Sequence, residues 1–289
     1  MSRAIFNKTL RGGLILGLLA AVSACGTTYN VPTASDKNTQ MAANMFAEER
    51  DPATAQAGRR LSTSAALRQF AQVVARVEPV AERFCKQETA DRPDFNCDIN
   101  IVVDEQMPVR NAYQTYTKDG RPVVAFTVPM IADARNPDEL AFVMGHEMGH
   151  HLGQHMHKQK QQAMAGAIIL GAVAAYGQAS ANASNPYRYR GNDQQVLQDS
   201  MTLGAGVGQM AYSQTYELES DVIGAAITKA AGYDPVKGAR FFARPEGQKT
   251  QDGNLSFWGT HPPDAKRLAT VLATVEGIEA NGGITRKTN

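Results

Sequence analysis

The window FVMGHEMGHHLGQHMHK, Phe142 to Lys158, holds five of the six histidines in the chain: His146, His150, His151, His155 and His157. His146 and His150 are four residues apart. On a helix that spacing puts both imidazoles on one face, close enough to share a metal ion. Glu147 follows about a third of a turn round. From there it leaves the metal to the histidines but reaches a water bound to it. The pattern is H-E-x-x-H, two ligands and a general base within five residues. Neutral imidazole suits Zn²⁺, an ion without redox chemistry that lowers the pKa of bound water towards about 7. One such ion per chain is expected. His151, His155 and His157 read as surface or structural residues.

Two histidines leave such a site incomplete, and no histidine follows at a distance that would supply the third ligand. An acid is therefore expected, with one position left open for water. The segment YSQTYELESDVIGAA offers Glu217 and Asp221, four apart on one helical face, and Glu219 on another. Glu217 can reach the metal while Asp221 bonds a ligand histidine. The competing reading is a solvated acidic face.

These residues need rigid elements. Asn136 can cap a helix, Pro137 suits its first position, and Glu139 stands three residues after the cap. The periodic run Leu140, Val143, Met144 and Met148 then carries the histidines onto a helix. Gly149 is expected to leave room beside the metal. Upstream, Leu67, Phe70, Val73, Val74 and Val77 have helical spacing. FNCDINIVVDE, RNAYQTYT and RPVVAFTVPMI read as three strands, with KDG turning between the last two. A long helix is expected from about Gln194 to Ala231, stopped by Gly232 and Pro235. The apolar run Ala163 to Gly177 is shorter than a membrane span and is expected as a core helix or a hydrophobic lip.

The first residues read as an export signal: Arg3, Lys8 and Arg11 without an acid, then LILGLLAAVSA. VSAC, ending in Cys25, resembles a bacterial lipobox. That implies residues 1–24 as a lipoprotein signal peptide and Cys25 as the lipidated residue. Gly26 after it suggests sorting to the outer membrane, with the protein on the periplasmic side. Residues 25–59 are polar and read as a tether with one short helix, and residues 60–289 as the folded domain. In an oxidising compartment, Cys85 and Cys97 at short spacing read as a disulfide, worth about 3 kcal/mol by loop closure. A net charge of +1 gives no reason to expect nucleic acid as a partner.

ELAFVMGHEMGHHLGQH, YSQTYELESDVIGAAITKAAGYDP and THPPDAKR, in that order, resemble the M48 family of zinc metallopeptidases, most of all its bacterial periplasmic lipoproteins. The likeness spans about Asn111 to Leu268. It implies His146, His150 and Glu217 as zinc ligands, Glu147 as catalytic base, and Asp221 and Arg267 as outer partners of that set. It implies His261 either as an oxyanion donor or as a cap on the zinc. It places Asn111 and Ala112 on a strand near the cleft. Gln214 stands where an arginine is common and Ser220 where an alanine is common, and neither change removes a ligand.

The resemblance also implies a mostly helical α+β fold, a zincin core of the gluzincin kind with a small sheet. Its edge strand, expected within VVAFTVPMI, would hold an extended substrate. The implied activity is a zinc endopeptidase that cleaves unfolded or misassembled envelope proteins in protein quality control. The implied partners are those polypeptides, the membrane through the lipid anchor, and outer-membrane assembly machinery. The alternative is a chaperone-like binder of outer-membrane proteins with a gated zinc site.

Overall fold

The computed structural model describes residues 27–51, 61–185, 191–244 and 257–287. The expected signal peptide, Cys25 and the tether from 52 to 59 lie outside these residues. The chain divides into two compact units, one of residues 28–153 with 216–289 and one that includes 154–215. The fold is mostly helical with one small sheet, as expected.

The first unit opens with a strap. The main-chain N–H groups of Thr28 and Tyr29 donate to the Glu219 carboxylate, the second at 2.6 Å. Tyr29 is fully buried and forms an isolated antiparallel bridge with Arg286. Helix α1 (Asp36–Glu49) follows, started by Ser35. Residues 28–51 are thus part of the folded unit, where the sequence suggested a tether. Polar pairing is what holds them: Asn38 donates to Glu276 at 2.8 Å, and Arg240 and Arg135 reach Glu49 at 2.6 and 2.7 Å.

Helix α2 (Thr63–Glu88) buries one stripe, Phe70, Val73, Val77, Ala81 and Cys85. Cys85 and Cys97 form a disulfide, with Cα atoms 5.7 Å apart. The sheet then runs β1 (Asn100–Asp104), β2 (Ala112–Tyr116) and β3 (Pro122–Thr127) in sequence, but in space the order is β1-β3-β2. β1 pairs with β3 in parallel and β2 with β3 antiparallel, with Ala112 opposite Phe126.

This order corrects the expected substrate strand. VVAFTVPMI supplies β3, which lies in the centre with every residue buried. A strand hydrogen-bonded on both sides has no edge to offer. The run also leaves the sheet at Thr127, whose hydroxyl caps helix α3 (Val128–Asp133). Of the two edges, β1 has the Glu78 carboxylate accepting its Ile101 N–H at 3.0 Å. β2 forms the other.

Helix α4 (Pro137–Leu152) begins as its sequence suggests, with Asn136 accepting the Glu139 N–H at 3.0 Å. Glu139 reaches back one residue further than a capping box requires and accepts from the Arg135 N–H at 2.7 Å. Its buried charge is met by Arg244. Helix α4 is buried on almost every side and forms the axis of the unit.

The second unit is a helical hairpin. Helix α5 (His155–Ser184) runs out, and the first part of helix α6 (Asp193–Ala230) returns. Ala163 to Gly177 sit within α5, and they are not a core segment. Met164, Ile168, Val173 and Tyr176 are between 58% and 66% exposed. In the first unit, Gly232 stops α6 at a φ of 80° and Asp234 caps the short helix α7 (Pro235–Ala239). A 3₁₀ turn (Arg240–Ala243), the single-turn helix α8 (Phe257–Thr260) and helix α9 (Ala265–Asn281) complete it.

Candidate metal centre

Helices α4 and α6 approach through small residues. A Cβ on Gly149 would stand 2.8 Å from Ser220 Cα, and one on Gly145 2.8 Å from the main-chain oxygen of Gly224. Real Cβ atoms do not come that close, so only glycine lets the two backbones approach to this distance. Gly149 therefore makes room for α6 rather than for a metal. The same contact calls for a small residue at 220, which serine satisfies.

This approach brings three side chains to one point. His146 Nε2 and His150 Nε2 are 3.1 Å apart. Glu217 lies 3.4 Å from each, through Oε2 to His146 and Oε1 to His150. A tetrahedral zinc with ligands at about 2.0–2.1 Å spaces neighbouring donor atoms by about 3.3 Å. The three edges fit that triangle. Glu217 Oε2 and Glu147 Oε1 are buried and have no hydrogen-bond partner, as expected of atoms set to face a cation.

The ligand side chains are oriented from behind. Asp221 Oδ1 accepts from His146 Nδ1 at 2.9 Å, which leaves the Nε2 lone pair free for a metal. Arg267 grips Asp221 with two bonds, Nε to Oδ2 at 2.8 Å and Nη2 to Oδ1 at 2.7 Å. Its Nη1 lies 3.4 Å from Glu217 Oε2. The guanidinium also covers the Phe242 ring at 3.7 Å, and that ring lies 5.0 Å from the His146 ring. Phe242 was not singled out from the sequence, which marks it only as one of two adjacent aromatics.

His261 closes the other side. Its ring stacks on Phe257 at 4.4 Å, and its Nδ1 lies 2.9 Å from Thr260 Oγ1 and 3.2 Å from the Phe257 main-chain oxygen. Nε2 is then left to point at Glu147 Oε1, 3.3 Å away. Donor atoms of His146, His150, Glu217 and His261 all lie within 4.8 Å of one another. His261 is thus placed either to hold a fourth position or to face a reacting group there.

Electrostatics point the same way. Glu147, Glu217 and Asp221 face one permanent cation, Arg267. Burial works against a charge on His146, yet Asp221 and Glu217 overcome it and push the imidazole up to about 9. Burial, and after it the neighbouring Glu217, pushes Glu147 up to about 8. Burial also disfavours a charge on Glu217, but His261, His146, His150 and Arg267 hold its carboxyl well below the usual range. Burial pushes His261 down to about 4. A pocket that draws protons onto His146 and Glu147 is short of positive charge, and a divalent ion supplies it.

The remaining sequence candidates are dispersed. Glu219 is held by the strap and turned away from the cluster. His151 is buried and structural: Tyr116 Oη donates to its Nδ1 at 3.0 Å, and its Nε2 donates to the Asn96 main-chain oxygen at 2.7 Å. His155 is buried in the second unit, and His157 is exposed there. Asn111 binds Thr127 through its main-chain N–H at 3.0 Å, and Ala112 is fully buried as β2 begins. Gln114, two residues along β2, turns its main-chain N–H to Glu147, a link with no mark in the sequence.

The chain matches the model described as Peptidase family M48 over residues 68–275. No curated protein matches it.

Proposed function

The chain belongs to peptidase family M48, and from that premise we propose that it is a zinc-dependent endopeptidase of the bacterial envelope. The observation that carries this reading is the triangle of His146, His150 and Glu217 with Glu147 beside it and edge strand β2 next to Glu147. His146, His150 and Glu217 would hold the ion. When bound, zinc polarises a scissile carbonyl and lowers the pKa of water.

The chain's own groups do the rest. A substrate segment adds to the edge of β2 through main-chain hydrogen bonds, so it must be extended and free of its own fold. Glu147 takes the proton of the attacking water and passes it to the leaving amine. His261 faces the same space, and with the proton of its neutral ring on Nε2 it donates to the developing oxyanion. Arg267 and Asp221 hold His146 in place through each stage.

The need for extended segments makes unfolded or misassembled envelope proteins the natural substrates, and quality control the role. VSAC supports anchoring through Cys25 in the outer membrane, facing the periplasm, within reach of the assembly machinery there. A second reading is a binder with a gated site, favoured by His261 standing within the ligand group.

The test compares wild type, Glu147→Gln and His261→Ala, each starting after Cys25, for zinc content and casein degradation. One zinc in all three and no cleavage by Glu147→Gln is expected. Cleavage by Glu147→Gln at the wild-type rate would defeat the assignment. Faster cleavage by His261→Ala would favour the gate, and slower cleavage the donor.

A further inference from the structure

Ten large apolar side chains are exposed among the described residues, and nine belong to the hairpin: Met156, Met164, Ile168, Val173, Tyr176, Val196, Met201, Leu203 and Val207. Surface apolar residues normally occur singly, so this concentration calls for something to cover it. We propose that the hairpin is a membrane-binding element that inserts its apolar side chains into the acyl layer of a phospholipid bilayer.

Three observations favour lipid over a protein partner. First, α5 is apolar on all sides over Ala163 to Gly177, and only 6% of its most apolar window is buried. A helix hydrophobic on all sides belongs in a protein core or in lipid. A protein groove covers one face and leaves the rest in water. Second, no charged residue occurs from Gln161 to the end of α5 at Ser184, or on α6 from Ser200 to Tyr216. The most apolar 18-residue window of α5 is about 27 Å long at 1.5 Å per residue, close to a hydrocarbon thickness of about 30 Å. Lys158 and Lys160 stand just before Gln161, where cations suit headgroups.

Third, the two helices approach each other closely through their backbones at glycines. A Cβ on Gly166 would lie 2.0 Å from the Gly204 main-chain oxygen, and one on Gly208 2.1 Å from that of Gln162. Gly204 and Gly208 form a G-x-x-x-G pair. Backbone contact of this kind is how helices associate in lipid, where burying apolar groups against each other gains nothing. Met201 and Leu197 lie across Gly171, while Met164, Ile168, Val173, Tyr176 and Leu203 stay on the outside.

The experiment uses residues 26–289, which carry no acyl chain, with vesicles of phosphatidylethanolamine and phosphatidylglycerol at 3:1. Wild type should cosediment with the vesicles, and 0.5 M salt should leave most of it bound. Ile168→Glu, Val173→Glu and Tyr176→Glu together should lower binding at least tenfold. Those side chains are 63–66% exposed, so circular dichroism should be unchanged. Separately, Val173→Trp should be quenched by brominated lipid. Failure of wild type to bind vesicles would overturn the proposal. So would binding that salt abolishes, or a stable dimer by light scattering that leaves Val173→Trp unquenched. None of these readouts depends on peptidase activity, so the two proposals fail separately.

Discussion

Arg267 and Asp221 form a buried two-bond pair, at 2.8 and 2.7 Å, directly behind the His146 ring. The pair fixes which nitrogen of His146 carries the proton, and so which one meets the metal. Asp221→Asn or Arg267→Lys should weaken zinc binding by about 10- to 100-fold, the usual cost of losing an outer partner of a ligand histidine. Competition with a chromophoric chelator measures this. An unchanged affinity in both variants would show that the pair only fills space.

Zinc binding should release protons. His146 without metal is pushed up to about 9 and Glu147 to about 8, so at neutral pH both hold protons that a cation displaces. Below those values each proton competes with the ion. The zinc Kd should therefore fall as pH rises from 6 to 8, by about tenfold per unit for each proton released and so by up to about a hundredfold per unit for both. Calorimetry in two buffers of different ionisation enthalpy counts the protons directly, and a pH-independent Kd would contradict the charge argument.

The crossing of α4 and α6 should tolerate nothing larger than glycine. Gly149→Ala places a methyl 2.8 Å from Ser220 Cα, where only backbone can yield. Overpacking of this sort costs about 1–3 kcal/mol. The Tm should drop by several degrees, and zinc affinity should fall with it because the ligand triangle opens. Gly277→Ala on α9 meets no atom within 4 Å and should instead stabilise by about 0.5–1 kcal/mol. Thermal melts of the two variants give opposite signs if the crossing is as tight as described.

Removing the Cys85–Cys97 bond should separate stability from chemistry. Cys85→Ala with Cys97→Ala loses about 3 kcal/mol of loop-closure stabilisation. For a chain of this size that is about 6–12 °C in Tm. Zinc stoichiometry should stay at one, since neither cysteine touches the metal cluster. Loss of bound zinc from the folded variant would place the disulfide closer to the site than its contacts suggest.

The metal helix was legible because chemistry and capping both act locally. Asn136, Pro137 and the H-E-x-x-H spacing sit on one helix and need no distant partner to be read. The third ligand was harder, since Glu217 and Asp221 at helical spacing read equally as a solvated acidic face until the histidines and Arg267 meet them. The sequence suggested a short helix within a tether, and the packing of α1 into the folded unit escaped notice because its buried residues include Asn38 and Glu49. Those two are matched by Glu276, Arg135 and Arg240 from far along the chain, and hydropathy cannot see such pairing. Strand order was misjudged although a hint was present. The unbroken apolar run of β3 is the mark of a strand covered on both sides, and the half-polar β2 is the mark of an edge. For the apolar stretch in α5, composition left a core helix and a hydrophobic lip as alternatives, and its exposure removes the core.

Glu219 fastens Thr28 and Tyr29 to the body of the protein only three residues beyond Cys25. With the acyl groups proposed for that cysteine, the leash between bilayer and enzyme is about 10 Å at full stretch. A peptidase moored in that way would not sweep the surrounding space. It would work within a thin layer at the membrane face, its rate following how many substrates arrive in that layer rather than how many are dissolved above it.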